Sequence, residues 1–141
     1  MKPVYILFMI LIITSTMVEA RIYKPTIREQ INSQAITLKA GSLNETIGNV
    51  LDFVGNNITY KFHWYPQNVD DIWRTKEGDC TDQATLAKYI LEQIYYRNNT
   101  LRFKIVHGYC DGMKHDWLRM GKEDIDNFGC YERQYMGERA W

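Results

Sequence analysis

Lys76-Glu77-Gly78-Asp79-Cys80-Thr81-Asp82-Gln83-Ala84-Thr85-Leu86 is the stretch from which the fold reads outward. Asp79 and Thr81 are both N-cap residue types. Ala84, Ala87, Ile90, Leu91 and Ile94 follow as an apolar stripe at helical spacing, ended by Asn98-Asn99. Cys80 therefore stands at the start of a helix. Unpaired backbone N–H groups and the positive end of the helix dipole stabilise a thiolate there, and the same N–H groups can bind an oxyanion on an attacked carbonyl. Position alone equally fits an inert cysteine packed at a helix start.

Upstream, Ser42-Leu43-Asn44-Glu45 has capping-box form, and Leu43, Ile47, Val50, Leu51 and Val54 follow at helical spacing until Gly55-Asn56-Asn57. Residues 58–65 read as an extended aromatic segment ended by Pro66, and 67–78 as an irregular connection containing Trp73. Residues 21–41 carry few periodic signals. They read as a lead-in to a domain over 42–141, with a short strand around 35–38. Downstream of the nucleophile candidate, Leu101, Phe103 and Ile105 alternate with Arg102 and Lys104, which predicts a strand over 101–109. A second strand is predicted over 114–120, and Gly121-Lys122 suits a tight II′ turn into a third over 123–128. Helix, connection, helix, then strands make an α+β domain.

The chain has 141 residues, enough for one ordinary domain. Its 17 basic and 17 acidic side chains cancel, which leaves no electrostatic footprint for a phosphate backbone and argues against nucleic acid as a partner. With 45% hydrophobic residues it is too apolar to be disordered. Met1-Lys2, the apolar run 3–18 and Val18-Glu19-Ala20 have the form of a secretory signal peptide over residues 1–20. An uncleaved membrane anchor is the alternative, but Thr14-Ser15-Thr16 interrupts a run already shorter than the roughly 20 apolar residues of a spanning helix. Either way the domain is expected to be secreted or extracytoplasmic, touching a membrane only through residues 3–18. The sequons at Asn44, Asn57 and Asn98 permit glycosylation in such a location.

Three cysteines in an oxidising compartment leave one thiol over. Cys110 ends one predicted strand and Cys130 follows another, so a bridge between them would tie the sheet together and leave Cys80 free. A rival use is a structural zinc site from His107, Cys110, His115 and Cys130, but the spacing is not that of a standard finger and the Gly78-Asp79-Cys80 segment would go unexplained. His63 and His107 read as structural. His115 begins a strand, and a cysteine at a helix start with a histidine on a distant strand is the thiolate–imidazolium pairing of cysteine hydrolases. With Gly121-Lys122 as the turn, Trp117 faces Asp126 and His115 faces Phe128. Asp126 and Asp124 then share the His115 face, with Asp126 one diagonal step away, while Asp116 and Asn127 point to the other face. A bulge would reverse that parity and bring Asn127 forward.

Gly78-Asp79-Cys80 with Asp82, Ala84 and Leu86, then His107-Gly108 and His115-Asp116-Trp117, resembles the transglutaminase-like superfamily. The helix predicted from Leu43 to Val54, leading into Ile58-Thr59-Tyr60, is similar to that family's N-terminal part, so the resemblance covers about residues 42–128. It implies a papain-like α+β core with the nucleophile at a helix N-terminus packed on a small antiparallel sheet. It also implies a Cys80–His115–Asp126 triad and acyl transfer through a thioester. The family often has Asp-Pro at its third position, where this chain has Asp126-Asn127, so Asp124 and Asn127 stay beside Asp126 as candidates. Trp73 would wall the site, donate its indole N–H to the oxyanion, or pack in the core. The expected reaction is hydrolysis of amide or isopeptide bonds in protein or cell-wall peptide, as a cysteine peptidase or amidase. Protein-glutamine crosslinking and a non-catalytic binding domain are the alternatives. No cofactor and no metal are expected.

Overall fold

The computed structural model describes residues 23–127 and 129–139; the expected signal peptide or anchor, residues 1–20, lies outside the described residues. The elements run α1 (Ile27–Leu38), α2 (Leu43–Asn57), β1 (Thr59–Tyr60), α3 (Val69–Thr75), β2 (Glu77–Gly78), α4 (Cys80–Ile94), β3 (Phe103–Cys110), β4 (Met113–Met120), β5 (Glu123–Ile125) and β6 (Arg133–Glu138). This is an α+β architecture, as the order of sequence patterns implies.

The apolar stripe of α4 makes it the centre of the packing. Leu86, Ile90 and Leu91 are fully buried, meeting Ile31 of α1, Val50 of α2 and Ile72 of α3 on the helical side. Ile105 of β3 and Leu118 of β4 close the same core from the sheet. Each such side chain contributes about 1.5–3 kcal/mol by burial. The helix that carries Cys80 is therefore held from both sides.

The sheet has strand order β5-β4-β3-β6, antiparallel throughout. Its two hairpins follow from glycine chemistry. Asp111 (φ 51°) and Gly112 (φ 81°) form a type I′ turn between β3 and β4, the use to which Asp-Gly is best suited. Gly121 (φ 62°) opens the two-residue turn between β4 and β5, where Met120 pairs with Glu123 and Leu118 with Ile125. Strand β6 returns on the far side of β3, and the Cys110–Cys130 disulfide pins the chain just ahead of it. The two backbones are so close that a Cβ on Gly108 would lie 1.9 Å from the Gln134 carbonyl oxygen.

Several segments differ from the sequence expectation. Residues 27–38 are a helix, not a lead-in with a strand at 35–38: Thr26 and Glu29 form a reciprocal capping box, and Ile31 and Ala35, one turn apart, are buried in the common core. The irregular connection contains α3, capped by Asn68 accepting from the Asp71 N–H and closed by Lys76 in the left-handed conformation. Of the aromatic segment, only Thr59-Tyr60 is a strand, paired in parallel with Glu77-Gly78. At Ser42, the side chain accepts from the Glu45 N–H at 3.2 Å, one half of a capping box. Strand β5 stops at Ile125, short of residue 128.

Candidate active site

The start of α4 is fastened by its own first residues. Asp79 accepts from the Asp82 N–H at 3.1 Å while Asp82 accepts from the Asp79 N–H at 3.2 Å, a capping box made of two carboxylates. Asp82 is completely buried, and its remaining capacity is taken by the Gln67 backbone N–H (2.8 Å) and side-chain amide (3.0 Å). One carboxylate thus ties the segment before α3 to the first turn of α4. Gly78 permits this approach, since a Cβ there would lie 2.7 Å from the Asp82 Cβ. The β1–β2 pair fixes the chain immediately ahead, with the Lys61 N–H donating to Gly78 O at 3.0 Å. Cys80 emerges half-buried, its thiol free of any disulfide.

His115 comes to it from β4. Among the described residues β5 pairs with β4 only as far as Ile125, and the chain leaving the ladder brings Asp126 to the ring. His115 Nε2 and Asp126 Oδ2 are 2.9 Å apart. The ring stacks on Trp117, centroids 5.9 Å apart, and hydrogen-bonds the Cys80 side chain. Burial pulls the His115 pKa down, but the hydrogen bonds to Asp126 and to Cys80 outweigh it and raise it from 6.5 to about 9. An imidazolium is therefore the form this site favours at neutral pH.

Asp126 is itself held. Arg133 of β6 donates to its Oδ2 at 3.2 Å while the guanidinium lies over the Trp117 ring, 5.2 Å from the centroid. The other two candidates for the third position are engaged elsewhere. Asp124 pairs with Arg119 at 2.6 Å and with Arg133 at 3.6 Å, and Asn127 donates to the Leu51 carbonyl at 3.5 Å. Asp116, of opposite parity to His115, is buried and binds Thr81 and Arg139. Cys80, His115 and Asp126 share one cavity of about 490 Å³, walled by Leu51, Val54 and Ile125 among others. That volume accommodates a peptide-sized group.

Trp73 requires correction. It does not line this cavity: its indole N–H donates to Gln30 Oε1 at 3.2 Å, its ring stacks on Phe53, and Lys76 lies over the ring. It is a packing residue, with no N–H to spare for an oxyanion. The zinc alternative also falls, because Cys110 and Cys130 are joined in a disulfide and offer no thiolate. Among the described residues no cluster of three or more His, Cys, Asp or Glu side chains is arranged to hold a metal ion. Asn44, Asn57 and Asn98 are all exposed, as glycosylation would require. Sequence reasoning missed Gln67, Arg133 and Arg139. No local pattern marks any of the three: Arg133 begins the unrecognised strand β6 and Arg139 follows its end, and both reach their carboxylates only through the fold.

No protein-family model matches the chain. The UPF0252 protein MJ1282 of Methanocaldococcus jannaschii is 29% identical over 112 aligned residues, covering 64% of this chain and 32% of that protein. The chain thus spans about a third of the relative's length. Three solved structures are similar. A protein of Cytophaga hutchinsonii assigned as a cysteine protease has a TM-score of 0.52 at 14% identity, over 74% of this chain and 39% of that one. A protein of Parabacteroides distasonis assigned as a protease has a TM-score of 0.51 at 14% identity, over 79% and 24%. A transglutaminase has a TM-score of 0.51 at 13% identity, over 85% and 36%. These likenesses establish a transglutaminase-like fold.

Proposed function

We propose that the chain is a transglutaminase-like thiol enzyme that cleaves amide or isopeptide bonds through a thioester on Cys80. The observation that carries the reading is the His115 ring held between Cys80 and Asp126 against a peptide-sized cavity. The Cys80 thiolate attacks the carbonyl carbon, and the resulting oxyanion lies at the start of α4, where the first backbone N–H groups of a helix stand outside its internal ladder. Collapse breaks the C–N bond as the His115 imidazolium gives its proton to the leaving amine, and a thioester remains. Neutral His115 then takes a proton from water, whose hydroxyl releases the acid and restores the thiolate. Asp126 holds the ring orientation and favours its charged form through both steps.

Protein or cell-wall peptide is the proposed substrate, with the chain exported through residues 1–20 and held at a membrane only if that segment stays uncleaved. The Cys110–Cys130 disulfide is compatible with an extracytoplasmic location, and among the described residues no helix is long and apolar enough to cross a membrane. The test is incubation of a defined peptide mixture, including cell-wall stem peptides, with the native chain and with Cys80→Ala. Products heavier by water in total, present only with the native chain, support hydrolysis. Loss of ammonia with joined peptides would make the enzyme a crosslinker, and no change in either sample would overturn the enzymatic reading.

A further inference from the structure

The pairing of α4 with β4 continues one residue beyond the cysteine and the histidine. Thr81 follows Cys80, Asp116 follows His115, and the Thr81 hydroxyl donates to Asp116 Oδ2 at 2.6 Å. Asp116 is 4% exposed, so its carboxylate is stable there only if its oxygens are occupied. Arg139, just beyond β6, supplies the rest, with Nε donating to Oδ2 at 3.0 Å and a terminal guanidinium nitrogen to Oδ1 at 3.2 Å. Arg139 is in turn anchored through its backbone N–H to Ile105 O at 2.8 Å. On the helix, the Thr85 hydroxyl donates to Thr81 O at 2.7 Å. The Asp82 carboxylate, by contrast, ties the α4 start to Gln67 ahead of α3 and not to β4.

We propose that Thr81 and Asp116 are positioning residues whose hydrogen bond sets the separation of Cys80 from His115. The proposal rests on the reading of Cys80 and His115 as nucleophile and base. A nucleophile displaced by an ångström loses about a hundredfold in rate, so a short bond to a buried, doubly anchored carboxylate is a suitable device for holding it. Asp116 also borders the cavity, but with both oxygens engaged by Thr81 and Arg139 its role here is to position. Thr81 and Asp116 act through the two residues that precede them.

The experiment measures the rate at which iodoacetamide alkylates Cys80 in the folded protein near neutral pH, with folding checked by thermal melting. Four proteins are compared: the native chain, Thr81→Val, Thr81→Ser and His115→Ala. Thr81→Val keeps the shape and removes the donor. It should slow alkylation by about tenfold or more, while Thr81→Ser, which keeps the hydroxyl, should stay within about twofold of native. If Thr81→Val does not fold, Thr81→Ala removes the same hydroxyl and carries the same expectation. Native-like alkylation in the hydroxyl-free variant overturns the proposal, as does an equal loss in Thr81→Ser. His115→Ala separates the two failures. If it too alkylates like the native chain, the nucleophile–base reading has failed; if it alone is slow, only the positioning role has.

Discussion

Asp126 Oδ2 lies 2.9 Å from Nε2 of His115, which leaves Nδ1 as the ring nitrogen available to the Cys80 thiol. The contact is made where the β4–β5 ladder has ended, so it depends on the chain's exit from β5 and not on a ladder hydrogen bond. It also makes the carboxylate, not its neighbours Asp124 and Asn127, the group that decides the ring's charge and orientation.

Replacement of Asp126 by Ala should therefore lower the turnover rate by about two orders of magnitude or more while the chain still folds. Asp124→Ala removes a partner of Arg119 and Arg133 and should cost far less activity. Steady-state kinetics on the two variants check this. Equal losses would show that Arg119 and Arg133, not the Asp126–His115 bond, govern the site.

His115 gives stability a defined pH dependence. Its pKa is raised on folding, from 6.5 to about 9, so the folded state binds the proton more tightly. The stabilisation is complete below about pH 6.5 and is lost as the pH rises through about 9. Denaturant midpoints should fall across that window in the native chain and fall much less in Asp126→Ala.

The disulfide should leave one reactive thiol in denatured, unreduced protein, located at Cys80 by peptide mapping. The bridge closes a loop of sequence separation 20, so Cys110→Ala with Cys130→Ala should lose about 3 kcal/mol of stability by chain entropy. Loss of the pin ahead of β6 should also loosen Arg133 from Asp126, lowering activity beyond the stability effect.

Asp82→Ala tests how the nucleophile helix is fastened. It would strand the Gln67 and Asp79 backbone N–H groups in a buried site, at about 1–3 kcal/mol each. Thermal melts should show a markedly less stable protein. An unchanged melt would mean that water replaces the carboxylate there.

What could be read from the residues followed strong local signals. The apolar stripe of α4, the alternation of β3 and the Gly121-Lys122 turn each gave a strong local signal; the turn's parity put Asp126 beside His115, although the ladder ends one residue earlier, at Ile125. Helix α1 was legible and was overlooked: Ile27, Ile31, Ala35 and Leu38 stand at helical spacing and pack on the common core, and Thr26 and Glu29 form a capping box ahead of them. Helix α3, at seven residues, is too short for periodicity, and the β1–β2 pairing involves two residues on each side. Strand β6 lacks alternation because most of its residues are exposed. Its missing made Arg133 and Arg139 invisible, since both reach their carboxylates only once β6 lies beside β3. The same gap hid the role of Asp116, which faces opposite to His115 as the parity implies and there meets Thr81 and Arg139.

In the proposed mechanism Cys80, activated by His115, carries an acyl group during turnover. Intact-mass spectrometry of the folded protein after brief exposure to an activated ester, such as p-nitrophenyl acetate, tests it most directly. The expected result is a single acetyl adduct that maps to Cys80, is released by hydroxylamine, forms much more slowly in His115→Ala and is absent in Cys80→Ala. An adduct of equal yield in Cys80→Ala, or a Cys80 that acylates only after denaturation, would contradict it.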